Sequence, residues 1–315
     1  MKQKIFILSW ILTLLAACSS GQESTPIVSQ TIDSLNPTQD SAVPSQPTLD
    51  SEPQTIVSIA TLPALSATPN PADWKDWPVV PTLGPEMLKV YVSGQAMGRD
   101  IHVVSIVGDC ESSSDWFLKD FSKDERFYSL GPYAHLQKTI DHFNPSLGYK
   151  SYAAIRGATA STVLASLWAD REACQSDETP LACEYRLHNP SFAFIALGTN
   201  DIHKRDQFEP KMRNIIEYTL EQGIIPILVT KADNLEGDES INFAIARLAV
   251  DYQLPVWNFW AAVQSLPGRG LQEDGAHLTF ASNFFDNPQK LESAWPVRNL
   301  TALQVLEAMR IAVQE

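Results

Sequence analysis

Beyond about residue 74 the chain alternates short continuous apolar runs with longer stretches whose apolar residues recur at helical spacing. His102 to Val107 is the first such run and ends in Gly108. Tyr152 to Ile155, Phe192 to Leu197, Ile224 to Val229 and Pro255 to Phe259 are its counterparts. Between them, 131–143 places Tyr133, Leu136, Ile140 and Phe143 on one helical face. Residues 159–168, 208–222 and 241–252 read as further helices, and 300–313 as a last amphipathic one. Strand and helix at this rhythm predict an α/β fold, with a parallel sheet of about five strands between helical layers. The runs are continuously apolar, as strands covered on both faces should be. Ligands of such folds sit beyond the carboxyl ends of the strands. Chemistry is therefore expected in the residues that follow each run: Gly108-Asp109-Cys110, Arg156-Gly157, Gly198-Thr199-Asn200-Asp201 and Lys231-Ala232-Asp233-Asn234.

The first 73 residues follow neither period. Lys2 and Lys4 precede an apolar run from Ile5 to Leu15, and Leu15-Ala16-Ala17-Cys18 follows. A basic start, a short apolar stretch and small residues make a secretory leader. The run is shorter than the roughly 20 apolar residues that span a bilayer. The tetrapeptide resembles a bacterial lipobox, so residues 1–18 are expected to be a lipoprotein leader, with Cys18 carrying the lipid. Residues 19–73, rich in Ser, Thr, Pro and Gln, cannot bury enough apolar surface to offset their ordering entropy and are expected to be a tether. Residues 74–315 are expected to be the folded domain. The protein is then extracytoplasmic and held to the bacterial cell membrane through Cys18.

Charge and composition narrow the partners. The formal net charge is −14, which repels phosphate backbones and argues against nucleic acid. With 44% hydrophobic residues the chain can build a sizeable core. No His/Cys/Asp cluster has metal-ligand spacing, and neither a dinucleotide fingerprint nor a phosphate loop is present. No metal or cofactor is expected. Cys174 and Cys183 lie close together in a polar stretch containing Pro180, and in an exported protein they read as a disulfide. With Cys18 lipidated, Cys110 is left as a free thiol at a strand end.

An acyl-transfer site needs a nucleophile, a base, an orienter for the base and oxyanion donors. Cys110 directly follows the first strand, in a turn leading towards a helix. Asp274 and His277 lie three residues apart, close enough for the carboxylate to hold one imidazole nitrogen while the other faces the nucleophile. Asn200 follows the third strand and can aim its amide at a developing oxyanion. Gly157 follows the second, where the lack of a Cβ lets its N–H approach the same point. Arg156 could bind an anionic group, although pairing with a local carboxylate fits it better. Asp233 and Asn234 could touch substrate or simply form a turn.

These four places resemble the four sequence blocks of the SGNH (GDSL-like) hydrolases. Val107-Gly108-Asp109-Cys110 is similar to the first block with cysteine in the serine position, and Gly157 matches the second by location. Gly198-Thr199-Asn200-Asp201 matches the third, and Asp274-Gly275-Ala276-His277 the last. The resemblance spans roughly residues 100–315 and implies a flavodoxin-like three-layer fold and ester hydrolysis. It further implies a Cys110–His277–Asp274 triad, and an oxyanion hole from Cys110 N–H, Gly157 N–H and Asn200, supported by Asp109, Gly198 and Asp201. With an exported location, it points to small acyl esters or acylated glycans as substrates. Ser114 stands where the family often has glycine. Ser112 and Ser113 are the other hydroxyls near the turn, and they fit a helix cap better than a nucleophile. Cysteine can serve, because a thiolate is strongly nucleophilic and its pKa falls near a helix N-terminus or a histidinium. The competing reading is an inactive module of the same fold that binds a glycan or acyl ligand at the cell surface.

Overall fold

The computed structural model describes residues 69–113 and 115–314. The leader, Cys18, the tether up to residue 68 and Ser114 lie outside the described residues. Among the described residues no helix is long and apolar enough to cross a membrane.

The elements run α1 (Pro85–Ala96), β1 (Asp100–Gly108), α2 (Cys110–Ser113), β2 (Tyr128–Ser129), α3 (Gln137–Phe143), β3 (Ala153–Ala154), α4 (Pro180–His188) and β4 (Pro190–Ala196). They continue through α5 (Arg205–Glu221), β5 (Ile225–Val229), α6 (Ser240–Tyr252), β6 (Val256–Trp257), α7 (Phe259–Val263), β7 (Asn283–Phe284) and α8 (Ala294–Ala312). Five strands form one sheet in the order β3-β1-β4-β5-β6, and every pairing is parallel. In chain order that is 2-1-3-4-5, the flavodoxin-like arrangement. Nearly every residue of β4 and all of β5 are buried. Successive side chains of a strand point to opposite faces, so both faces of the sheet are covered. Trp257, Phe194 and Phe117 meet in the core, with ring centroids 5.2 to 6.3 Å apart. A separate parallel pair joins β2 to β7.

This strand order locates the site. The chain leaves β1 for β3 on one side, then returns past β1 to build β4, β5 and β6 on the other. Connections from β1 and β4 therefore depart in opposite directions, and the gap between their carboxyl ends is the crevice where ligands of such sheets bind. Cys110 lies at the end of β1, and Asn200 just beyond β4.

Several elements differ from the sequence expectation. The helix expected over 159–168 is two single 3-10 turns, Thr162–Leu164 and Ser166–Trp168. There Thr162 Oγ1 accepts the Thr159 N–H at 3.0 Å, offering the backbone a local alternative to the helical ladder. The polar stretch around Pro180 is instead helix α4, with Thr179 as N-cap accepting the Ala182 N–H at 3.1 Å and Pro180 in the first turn. Helix α1 likewise forms without a clear apolar period in its sequence. The run from Pro255 to Phe259 keeps only two residues in the sheet, because Asn258 caps α7 by accepting the Ala261 N–H at 3.2 Å. At the domain's start, Pro71–Asp76 form a 3-10 turn capped by Asn70, and Trp74 within it is 3% exposed.

Candidate active site

The turn after β1, which carries Cys110, is set by Asp109. Its backbone oxygen accepts the N–H groups of Ser112 and Ser113 at 3.1 and 2.8 Å, and its Oδ1 accepts that of Glu111 at 3.3 Å. Asp109 is thus the cap of α2, and the serines are not. Ser112 is buried and takes a 3.5 Å bond from Arg298 Nη2. Ser113 Oγ donates to the Cys110 carbonyl at 3.2 Å. Cys110, the first residue of α2, is the free cysteine among the described residues. Its Sγ accepts the Gly157 N–H at 3.2 Å. Cys174 and Cys183 are joined as a disulfide, as expected.

Gly157 is required for a reason other than crowding. A Cβ there would meet nothing within 4 Å, but φ is +76°, a conformation that L side chains rarely adopt. Gly198 combines both demands: φ is +134° and a Cβ would lie 2.6 Å from Ile241 Cγ2. It turns the chain out of β4 towards Asn200. The Asn200 amide donates to the Ala158 carbonyl at 3.2 Å and to Asp109 Oδ2 at 3.5 Å. The buried Asp201 carboxylate accepts the Ala160 N–H at 3.1 Å, and burial pushes its pKa up to about 6. The Gly157 segment is thereby tied to the end of β4 through two residues.

Asp274 and His277 form a compact pair on a loop closed by the Gln272 N–H bonded to the His277 carbonyl at 2.8 Å. Asp274 Oδ1 accepts the N–H groups of Ala276 and His277, each at 3.0 Å, and its Oδ2 meets His277 Nδ1 at 2.6 Å. Those bonds hold the carboxyl down at about 2, and the same carboxylate raises the imidazole pKa. His277 and Cys110 line the same open cleft of about 850 Å³, together with Glu111, Arg156, Trp116 and Trp295. Both also line a neighbouring pocket of about 250 Å³ with Asn200, His203 and Leu235. The thiol and imidazole thus stand where the two recesses meet. Arg156 lines the cleft and makes no ion pair among the described residues, contrary to the expectation of a local carboxylate. Asp233 is buried, bonded to Lys231 Nζ at 2.7 Å and to Thr199 Oγ1 at 2.7 Å, so its carboxylate is engaged within the protein.

Sequence reasoning missed the charges behind the turn. Arg298 of α8 is 3% exposed, with its guanidinium 4.7 Å from the Phe117 ring centroid, 5.2 Å from that of Trp257 and 4.9 Å from that of Phe259. The carboxylates that flank Cys110 are its electrostatic counterparts. Burial pushes Asp109 up to about 7, with Glu111 adding to the rise and Arg298 opposing it. Glu111 is raised by burial as well, again against Arg298. Arg298 precedes the apolar period that begins at Leu300, so no pattern marks it. Glu111 stands beside Cys110 in sequence, but only the fold shows what it touches.

No family model matches the chain, and no curated protein does. Among solved structures it is similar to a GDSL-like lipase from Bacteroides thetaiotaomicron at 15% identity, over 70% of this chain and 97% of that one, with a TM-score of 0.42. It is similar to an α/β hydrolase from the metagenome of Lake Arreo, Spain, at 14% identity, over 65% and 95% of the two chains, with a TM-score of 0.41. It is also similar to an acetylxylan esterase from Geobacillus stearothermophilus at 16% identity, over 64% and 93%, with a TM-score of 0.40. At such identities the activity has to be argued from the chain's own residues.

Proposed function

We propose that the protein is an SGNH-type acyl hydrolase or acyltransferase that works through an acyl-cysteine on Cys110. The observation that carries this reading is the convergence beyond the carboxyl ends of the strands of a thiol and a carboxylate-held imidazole that line one cleft, with the backbone donor Gly157 N–H 3.2 Å from Cys110 Sγ. His277 takes the thiol proton and the thiolate attacks the ester carbonyl. Charge moves to the carbonyl oxygen, which the N–H groups of Cys110 and Gly157 and the Asn200 amide stabilise. Collapse breaks the bond to the alcohol oxygen, which leaves with the proton from His277. Water or a second acceptor, deprotonated by the same imidazole, then releases the acyl group and restores the thiol. Asp274 holds the imidazole tautomer throughout and stabilises its cation.

The substrates proposed are small acyl esters, including those on glycans, since the cleft beside the thiol is far roomier than a short acyl group needs. The protein acts outside the cytoplasm, anchored through lipidated Cys18. Iodoacetamide labelling with intact-mass detection tests the nucleophile. Cys110 should alkylate fast in the wild type and at least about tenfold more slowly in His277→Ala, and Cys110→Ala should lose hydrolysis of p-nitrophenyl acetate. Equal alkylation in wild type and His277→Ala would instead favour a non-catalytic ligand-binding module.

A further inference from the structure

Each residue flanking Cys110 reaches a different part of the site. Asp109 accepts from the Asn200 amide. Glu111 reaches the base: its Oε1 accepts the N–H of Leu278, the residue after His277, at 3.3 Å. Its Oε2 is buried with no hydrogen-bond partner among the described residues. The side chain lines the cleft shared by Cys110 and His277, and also a small inner cavity of about 30 Å³ lined by Asp109, Lys231, Asp233 and Arg298. It is therefore the carboxylate of the nucleophile turn that contacts the loop carrying the base.

The geometry points to Glu111 as a positioning residue for the base: it ties the His277 loop to the Cys110 turn, and its charge holds His277 as the cationic partner of the Cys110 thiolate. This inference rests on the Cys110–His277 reading of the site. A serine site has no ground-state ion pair to maintain. A thiol site does, because the proton passes from Sγ to the imidazole before attack and leaves a thiolate beside an imidazolium. An anion next to a thiolate is by itself unfavourable, and here the buried Arg298 guanidinium offsets it from below. Asp115 and His203 line the two recesses that Cys110 and His277 share, and Lys231 lines the inner cavity with Glu111. His277 is faced by Asp274 from its own loop, by Glu111 and Cys110 from α2, and by Arg156 from beyond β3. Glu111 is faced by Arg298 from α8, by Asp109, by His277 and by Asp233 from the loop after β5. An unpaired lone oxygen beneath the nucleophile would cost stability without return in a purely structural role. A charge that acts on the imidazole gives it a use.

Two variants of the full-length chain separate charge from tether. Glu111→Gln keeps an acceptor for the Leu278 N–H and removes the charge. Proton NMR of the His277 ring should then show its pKa lowered by about half a unit or more, and the pH profile of Cys110 alkylation should move in the acid direction. Glu111→Ala removes the acceptor too, and its plateau alkylation rate should fall about tenfold. An unchanged His277 titration in Glu111→Gln, or a wild-type plateau in Glu111→Ala, overturns the inference. His277→Ala is measured alongside. If it leaves Cys110 reactivity unaltered, the nucleophile reading itself fails, whereas the His277 titration still reports on Glu111.

Discussion

The backbone N–H of Gly157 donates to Cys110 Sγ at 3.2 Å, so the turn after β3 reaches across β1's carboxyl end to touch the thiol. The donor is held in place by its own backbone conformation, φ +76°, and by the bonds that Asp201 and Asn200 make to Ala160 and Ala158. Under the proposed mechanism, a donor already in contact with the sulfur is well placed to stabilise the oxygen charge that develops beside it.

Gly157→Ala isolates that contribution. The added methyl meets no atom of the described residues within 4 Å, so among them it makes no steric clash. The left-handed backbone, however, costs an L residue about 1 to 2 kcal/mol. Either the loop keeps its shape and stability falls by about that much, or the peptide rotates and the donor leaves the sulfur. Urea unfolding and Cys110 alkylation, measured together, should show at least one of these losses. A variant with wild-type stability and wild-type alkylation would show that the Gly157 contact has no energetic weight.

The sheet, its parallel sense and the loops at the carboxyl ends of its strands are legible in the sequence because continuous apolar runs and the residues after them are local patterns. The run from Phe192 to Leu197 is enough to put Gly198-Thr199-Asn200-Asp201 at a strand end. What escapes depends on side chains acting on nearby backbone, or on distant packing. Thr159 and Thr162 replace a helix with turns. Thr179 and Pro180 start a helix inside a stretch that reads as loop. Gly157 occupies the expected place for a different reason, since a positive φ rather than crowding demands the glycine. Arg298 lies 188 residues from Cys110 in sequence, and only the packing of α8 under the sheet edge brings its guanidinium among Phe117, Trp257 and Phe259.

Asp109 makes stability depend on pH. Its carboxyl titrates at about 7 in the folded protein and near about 3.9 when unfolded. Between those values the native state binds more protons than the unfolded state, so this group's contribution is full below about pH 4 and is lost as pH rises through 7. Asp109→Asn removes the titration while leaving an oxygen for the Glu111 N–H. Unfolding free energies from urea titrations at pH 5 and pH 8 should drop less between the two values in the variant than in wild type, by about 2 to 3 kcal/mol. Parallel pH dependences would place the titration elsewhere, with Asp201 the next group shifted in the same sense.

The lipid anchor is tested at Cys18. The motivation is Leu15-Ala16-Ala17-Cys18 after a basic and apolar start. Two acyl chains suffice for stable membrane attachment where one does not. In Cys18→Ala cells the protein should shift from the membrane pellet to the soluble fraction, with Cys110 reactivity retained in the folded domain. Mass spectrometry of the wild type should find a diacylglyceryl group at Cys18. An unmodified cysteine there, or unaltered pelleting of the variant after high-salt washing, would remove the anchor from the proposal.

Cys110→Ser restores the hydroxyl that the resembled enzymes use, and a gain of activity is the simple expectation. The site argues for a loss. Serine has no accessible anion near neutral pH, so it depends on His277 acting as base at the moment of attack. A thiolate can instead be formed beforehand beside an imidazolium, and the raised His277 pKa favours that cation. Distance works in the same direction. Oxygen sits closer to Cβ than sulfur does, so the attacking atom retreats from the carbonyl and from the Gly157 N–H, and a misplacement of about 1 Å can cost about 100-fold. The surrounding parts are those a working thiol site needs: Asp274 bonded to His277, Asn200 at the end of β4, and Gly157 on the sulfur. Steady-state hydrolysis of p-nitrophenyl acetate should therefore fall at least about tenfold in the serine variant, and acyl-enzyme trapped at pH 5 should disappear from its intact-mass spectrum. A serine variant that hydrolyses the ester substantially faster than wild type would mark Cys110 as a lesion in a former serine enzyme, and the acyl-cysteine mechanism would have to be abandoned.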